Sequence, residues 1–188
     1  MIIYAIRHPQ AVWNVEKILQ WHLDSPLTEH WRETAHKLWE SLKDRNIGKI
    51  FSSDLGRCIE TTGIINAFTD VPAILRQELR ERDFWIYNGK EKSFVIPLFD
   101  VDDIDAAPPE GESQIQMKDR IISFLGSLSD SQESIILLVV HHGWITSLLS
   151  HAHDCPLNDP ICKNKQGEIY KFKFENKVLS LEEVIVMD

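Results

Sequence analysis

Ser134-Ile135-Ile136-Leu137-Leu138-Val139-Val140-His141-His142-Gly143 is the stretch that decides the fold. A short, unbroken apolar run closed by a polar pair and a glycine reads as a strand buried on both faces, as in a parallel sheet covered by helices. It falls far short of the roughly 20 apolar residues that span a bilayer. Upstream, residues 2–6 and 49–52 read as further strands and residues 73–76 as a weaker one. Segments of helical period lie between them. Thr28 is a candidate N-cap for a helix turning Trp31, Ala35, Leu38, Trp39 and Leu42 to one face, with Gly48 beyond its far end. A second helix after Asp54 is expected to turn Leu55, Cys58, Ile59 and Ile65 inward. Ser113-Gln114-Ile115-Gln116 fits a capping box, followed at helical spacing by Met117, Ile121, Phe124, Leu125 and Leu128. A fourth helix starts after Gly143 and buries Ile145, Leu148 and Leu149. Near the end, Tyr170, Phe172 and Phe174 alternate with Lys171 and Lys173, and Glu175-Asn176-Lys177 separates them from residues 178–186, the pattern of an antiparallel hairpin. The expected fold class is therefore α/β: a three-layer α/β/α sandwich with a mostly parallel central sheet and an antiparallel C-terminal hairpin. Residues 1–188 are expected to form one domain, with residues 81–112 as a loop or lid insertion.

Composition narrows the function. The chain has 188 residues, 43% hydrophobic and 26% charged, with a mean hydropathy of -0.21, which fits a soluble globular protein rather than a disordered one. A net charge of -9 and a pI near 5.3 argue against a general nucleic-acid or anionic-membrane binder. No membrane partner is expected. The N-terminus shows no basic leader or small-residue cleavage site, and Cys58, Cys155 and Cys162 form no CxxC pair, so a cytoplasmic location is expected. Residues 97–112 carry six acids, three prolines and no Lys or Arg. Their Asp-Val-Asp-Asp-Ile-Asp run lacks the turn glycine and terminal Glu of an EF-hand and reads as a solvated loop.

In parallel α/β sheets, ligands sit beyond the carboxyl ends of the strands. Those ends are cationic here. Residues 2–6 lead into Arg7-His8, the second strand leads through Ser53-Asp54 to Arg57, and the strongest strand ends in His141-His142-Gly143. Guanidinium forks, helix N-termini and imidazoles brought together suit a phosphoryl group. Each alone has a plainer reading: Arg7 and His8 as a surface strand end, Arg57 as a solvated helix residue. One of the adjacent histidines should face the ligand and the other pack elsewhere, and position alone does not choose between them. A metal site from His141, His142, His151, His153 and Cys155 is the weaker reading, because those spacings diverge, and no metal or cofactor is expected. The tryptophans read mostly as packing residues, although Trp13, Trp21 and Trp85 lie in stretches that could line a pocket mouth.

Together these residues resemble the histidine phosphatase superfamily, the phosphoglycerate-mutase-like family. Ile3-Tyr4-Ala5-Ile6-Arg7-His8-Pro9 is similar to its strand and Arg-His-Gly motif, with Trp13-Asn14 at the usual spacing. Asp24-Ser25-Pro26-Leu27-Thr28 resembles Asp-x-Pro-Leu-Thr, and Ser52-Ser53-Asp54-Leu55-Gly56-Arg57 with Glu60-Thr61 resembles the family's Ser-Ser-Asp-Leu-x-Arg region. Leu79-Arg80-Glu81, Gly111-Glu112-Ser113 and Val139-Val140-His141-His142-Gly143 match further segments. The resemblance implies that His8 is the nucleophile and that Arg7, Arg57 and His142, rather than His141, hold the nonbridging oxygens with Gly143. It makes Glu81 the general acid and then base, with Asn14 contacting phosphate or orienting His8. Glu60, Glu78 and Asp83 are its rivals by sequence alone.

The chain also departs from the pattern. Pro9 replaces a glycine and removes a backbone N–H, Trp21 and His30 replace glycines, and Trp85-Ile86-Tyr87 replaces small residues. Trp144 is expected to add bulk beside the phosphate site. The resulting expectation is a cofactor-independent phosphomonoesterase acting on a small phosphorylated metabolite through a phosphohistidine on His8. The alternatives are a noncatalytic phosphate-binding or regulatory module and a phosphoglycerate-type mutase.

Overall fold

The computed structural model describes residues 1–100, 103–128 and 134–186. Strands β1 (Ile2–Arg7), β2 (Lys49–Ser53), β3 (Ala73–Arg76), β4 (Ile135–Val140), β5 (Glu168–Glu175) and β6 (Val178–Val186) form one sheet in the order β3-β2-β4-β1-β5-β6. The β1, β4, β2 and β3 pairings are parallel, whereas β5 runs antiparallel to both β1 and β6. The hairpin turns at Asn176 and Lys177, whose φ of 53° and 64° give the doubly left-handed geometry that matches strand twist. The helices are α1 (Val12–Val15), α2 (Glu29–Leu42), α3 (Gly56–Asn66), α4 (Lys92–Val95), α5 (Gln114–Ser127) and α6 (His142–His153). None of them is long and apolar enough to cross a membrane.

The period of two along the central strands builds the layers. Ile136, Leu138 and Val140 of β4 join Ile3 and Ala5 of β1 in a core capped by α5 and α6. Leu137 and Val139 join Tyr4 and Ile6 on the opposite face, under Leu38 and Leu42 of α2 and Cys58 and Ile65 of α3. Helices on both faces explain why β1 and β4 are apolar without alternation. β3 is an edge strand with mostly exposed residues, hence its weaker signal.

Three local expectations need correction. Ile59 is 42% exposed, because the buried face of α3 runs through Cys58, Thr61, Thr62 and Ile65, and a residue one step on is rotated about 100° away. Thr28 stands at the N-cap of α2, but its Oγ1 is buried without a partner, whereas Ser113 forms both bonds of its capping box with Gln116. Trp144 lies in the core rather than beside a ligand site, its ring edge-on to Phe124 at 5.8 Å, because the apolar stripe of α6 includes it. In the acidic run, residues 101 and 102 lie outside the described residues, and Asp103 accepts backbone N–H bonds from Asp105 and Ala106.

Trp144 is fully buried and its Nε1–H has no hydrogen-bond partner among the described residues. Trp144→Ala should cost about 3–5 kcal/mol in urea denaturation, the usual loss for an emptied aromatic site. Trp144→Phe should cost clearly less, because it also removes a buried unpaired donor whose penalty is about 1–3 kcal/mol. Equal losses for the two variants would contradict this packing.

Candidate active site

The β1 and β4 register sets Arg7 opposite Val140, and the His8 N–H donates to the Val140 carbonyl at 3.0 Å. His8 is only 4% exposed. Its Nδ1 lies 2.7 Å from the Pro9 carbonyl, which can only accept, so Nδ1 carries the proton. Nε2 therefore keeps its lone pair and accepts from Arg57 Nε–H at 3.2 Å. Burial, then the positive charges of Arg57 and Arg7, hold the His8 pKa well below its ordinary value, with the Pro9 bond pulling weakly the other way. A proline lacks the N–H of the expected glycine but keeps the carbonyl that fixes this tautomer.

Arg57, 2% exposed, sits in the first turn of α3. Its Nη1 donates to the Leu23 carbonyl at 2.9 Å and to Asp24 Oδ1 at 2.8 Å, and its Nη2 to the Trp21 carbonyl at 2.6 Å. Asp24 also accepts from the Gly56 N–H at 2.7 Å, so one loop carboxylate both orients Arg57 and satisfies the start of α3. Arg7 differs. Its Nε is buried with no hydrogen-bond partner among the described residues, and burial lowers its pKa against the opposing charge of Glu81.

Glu81, His142 and Gly143 line a cavity of about 730 Å³, a wall that does not include His8. Glu81 Oε2 accepts from the Gly143 N–H at 3.1 Å, and its Oε1 from the Arg82 N–H at 3.0 Å. The rivals are engaged elsewhere. Glu60 holds Arg32 and the Leu27 N–H, Asp83 meets His22, Trp85 and Asn88, and Glu78 lines a separate groove. His142 and His141 part company: His141 is fully buried, with Nε2 2.8 Å from Ser53 Oγ, while His142 reaches the cavity. Burial and Arg7 lower the His142 pKa, opposed by Glu81 and Asn164.

Asn164 escaped the sequence reading. Its Oδ1 lies 3.0 Å from His142 Nδ1, while its Nδ2 donates to the His142 carbonyl at 3.2 Å and to Thr146 Oγ1 at 3.0 Å. With both Nδ2 bonds to acceptors, Oδ1 must accept from His142 Nδ1–H, which leaves Nε2 as the ring's other polar atom. No sequence signal singles it out, since Gln166 is a second amide in the same short segment ahead of β5. Asn14 is exposed, its Oδ1 accepts from the Ala11 N–H at 2.9 Å, and among the described residues it makes no hydrogen bond to His8 and is not part of the cavity wall.

Of the three tryptophans considered for the pocket mouth, only Trp21 is on the cavity wall. Trp21 has φ 42°, a left-handed backbone costing about 1–2 kcal/mol for a residue other than glycine. Trp85 is 52% exposed and is not part of the cavity wall.

The depressed histidines make stability depend on pH. His8 and His141 are buried with pKa values well below the ordinary 6.5, so in weak acid the unfolded chain binds protons that the folded one does not. Their contribution is complete above about pH 6.5 and shrinks as pH falls below it. The urea midpoint should therefore be lower at pH 5.5 than at pH 8; an unchanged midpoint would contradict their neutral burial.

Comparisons with known proteins bear on the family and the fold. A protein of Shigella dysenteriae serotype 1 named "Probable phosphoglycerate mutase GpmB" is 32% identical over 151 residues, covering 75% of this chain and 69% of the relative. The structure of Bacillus stearothermophilus YhfR is 26% identical, with a TM-score of 0.85 over 96% of this chain and 94% of that one. The alpha-ribazole phosphatase of Shigella flexneri, 23% identical, shares the fold with a TM-score of 0.85 over 100% of this chain and 96% of its own. The model of the histidine phosphatase superfamily, branch 1, matches residues 3–185, a span running from the first strand to the last, and the chain belongs to that superfamily.

Proposed function

We propose that the protein is a phosphatase that hydrolyses a small phosphomonoester through a phosphohistidine on His8. The observation that carries this reading is the His8 ring itself: neutral, with the proton held at Nδ1 by the Pro9 carbonyl and the lone pair at Nε2. In the first step Nε2 forms a bond to phosphorus as the bond to the ester oxygen breaks, and Glu81 protonates the leaving alkoxide. In the second, Glu81 takes a proton from water, the water oxygen bonds to phosphorus, and the N–P bond breaks. Arg57 exchanges its Nε–H bond from His8 to a phosphoryl oxygen. Arg7 Nε–H, unpartnered among the described residues, takes a second oxygen as a donor already in place, while His142, whose Nδ1–H is held by Asn164, donates from Nε2 to a third only as the imidazolium, the form that a bound phosphoryl dianion favours. No group outside residues 1–188 is invoked, and the three free thiols suit the cytoplasm.

The name of the Shigella dysenteriae relative favours a mutase as the second reading. Phenyl phosphate and phosphoglycerate incubated with the protein separate the two. The phosphatase reading expects inorganic phosphate from both substrates, in step with free alcohol. Interconversion of phosphoglycerates without phosphate release would overturn it.

A further inference from the structure

Of the residues assigned to the proposed chemistry, Glu81 and His142 are the two that line the cavity. At about 730 Å³ it has the size of pockets that enclose a whole organic ligand rather than a bare phosphate. One side is a flat aromatic wall. Trp21 stacks on Phe84 with centroids 3.4 Å apart and planes 5° from parallel, and the Arg82 guanidinium lies 4.3 Å from the Phe84 centroid. Since Trp21 covers one face of Phe84, Arg82 covers the other, and the stack is held from both sides. Arg82 is anchored in turn on the Glu112 and Ala106 carbonyls. Such a wall offers an apolar surface at little cost in ordering.

Three lysines bring positive charge to the lining, in a chain whose net charge is -9. Lys92, Lys163 and Lys165 all line the cavity and are exposed, and among the described residues none has an ion-pair partner. Lys163 and Lys165 flank Asn164, the residue bonded to His142, so they enter the cavity beside the phosphoryl end. The carboxylates on the wall are Glu81, assigned to proton transfer, and Asp159, whose Oδ1 accepts from the Ile161 N–H.

We infer that the leaving group of the substrate is amphiphilic: a flat or apolar body that lies against Trp21, bearing a second anionic group, carboxylate or phosphate, that meets Lys163 and Lys165 with Lys92 at the rim. This rests on the phosphatase reading of the site for the word "leaving", but its recognition chemistry is testable without turnover. An exposed ammonium attracts such an anion in a way that salt screens.

Calorimetric titration of the full-length His8→Ala protein with phenyl phosphate, 4-carboxyphenyl phosphate, 1,4-phenylene bisphosphate and phosphoglycolate separates the contributions. The doubly anionic aryl ligands should bind at least about tenfold more tightly than phenyl phosphate, with the advantage shrinking at high salt. Whichever of the two binds more tightly identifies carboxylate or phosphate as the second group. Phosphoglycolate, which lacks the flat body, should bind more weakly than 4-carboxyphenyl phosphate. Lys163→Gln with Lys165→Gln should erase the advantage and leave phenyl phosphate affinity unchanged, while Trp21→Gly should weaken the aryl ligands together. Equal binding of the aryl ligands, or an equal loss for all of them in the lysine variant, overturns the inference, the latter because the lysines would then serve the phosphoryl group itself. Wild-type turnover of phenyl phosphate is scored separately: turnover without the anion advantage sinks this inference alone, and the advantage without turnover sinks the phosphatase reading alone. Absence of binding by every ligand overturns both.

Discussion

His8→Ala is expected to reduce kcat/KM by on the order of 10⁴-fold or more, the scale of losing a nucleophile, and to abolish labelling of the protein by substrate phosphate. Wild-type protein quenched during turnover of phenyl phosphate should carry phosphate that survives base and is lost in acid. Of the two neighbouring imidazoles, only His142 keeps Nε2 free, and its part is to hold a phosphoryl oxygen. His141 Nε2 is bonded to Ser53, and its ring is closed in the core beside Cys58. His142 is tied through Nδ1 to Asn164. The variant should still fold, because His8 holds its own neighbour Pro9 and accepts one bond from Arg57, whose other bonds to Trp21, Leu23 and Asp24 persist. A circular dichroism spectrum matching wild type alongside lost labelling assigns the loss to chemistry. Turnover retained in His8→Ala would place the nucleophile elsewhere.

Glu81→Gln should lower kcat by about 10²–10⁴-fold for alkyl phosphates, whose leaving alkoxides need a proton. With 4-nitrophenyl phosphate, whose leaving group is stable as an anion, the first step should be nearly unaffected. The second step, which needs Glu81 as base, should be slow, so the variant is expected to accumulate phosphoenzyme after a burst of nitrophenol. An equal loss for both substrates without accumulation would remove Glu81 from proton transfer. Gly143→Ala offers a second approach to the same carboxylate. A Cβ at residue 143 would sit 2.5 Å from Glu81 Oε1 and 3.2 Å from the end of Met117, so the carboxylate, the end of a flexible side chain, must move. That variant should fold and show the same dependence on leaving group, in weaker form.

The sequence made the fold legible where a strand or helix is central and its pattern uncompromised. β1 and β4 lie in the middle of the sheet between two helical layers, so their apolar runs are continuous, and the Ser113 box forms as its spacing requires. The choice between His141 and His142 was out of reach of strand alternation for a physical reason. His141 is the extended N-cap of α6, with φ -120°, and His142 is the first helical residue, so the period changes between them. The same change of period takes Trp144 into the core, since nearness to His142 in sequence means little once the chain turns helical. Asp24 stands out in the sequence only as part of a motif. Its bonds to Arg57 and Gly56 join a loop and a helix that are separated by more than thirty residues, and no local pattern reports them.

Crystals of the wild-type protein grown with vanadate test the central claim most directly. Vanadium bonded to His8 Nε2, with its oxygens met by Arg7, Arg57 and His142 and with Glu81 facing the outer oxygen, is the predicted result. Vanadate bound away from His8, with the Arg57 Nε–H still on His8 Nε2, would contradict it.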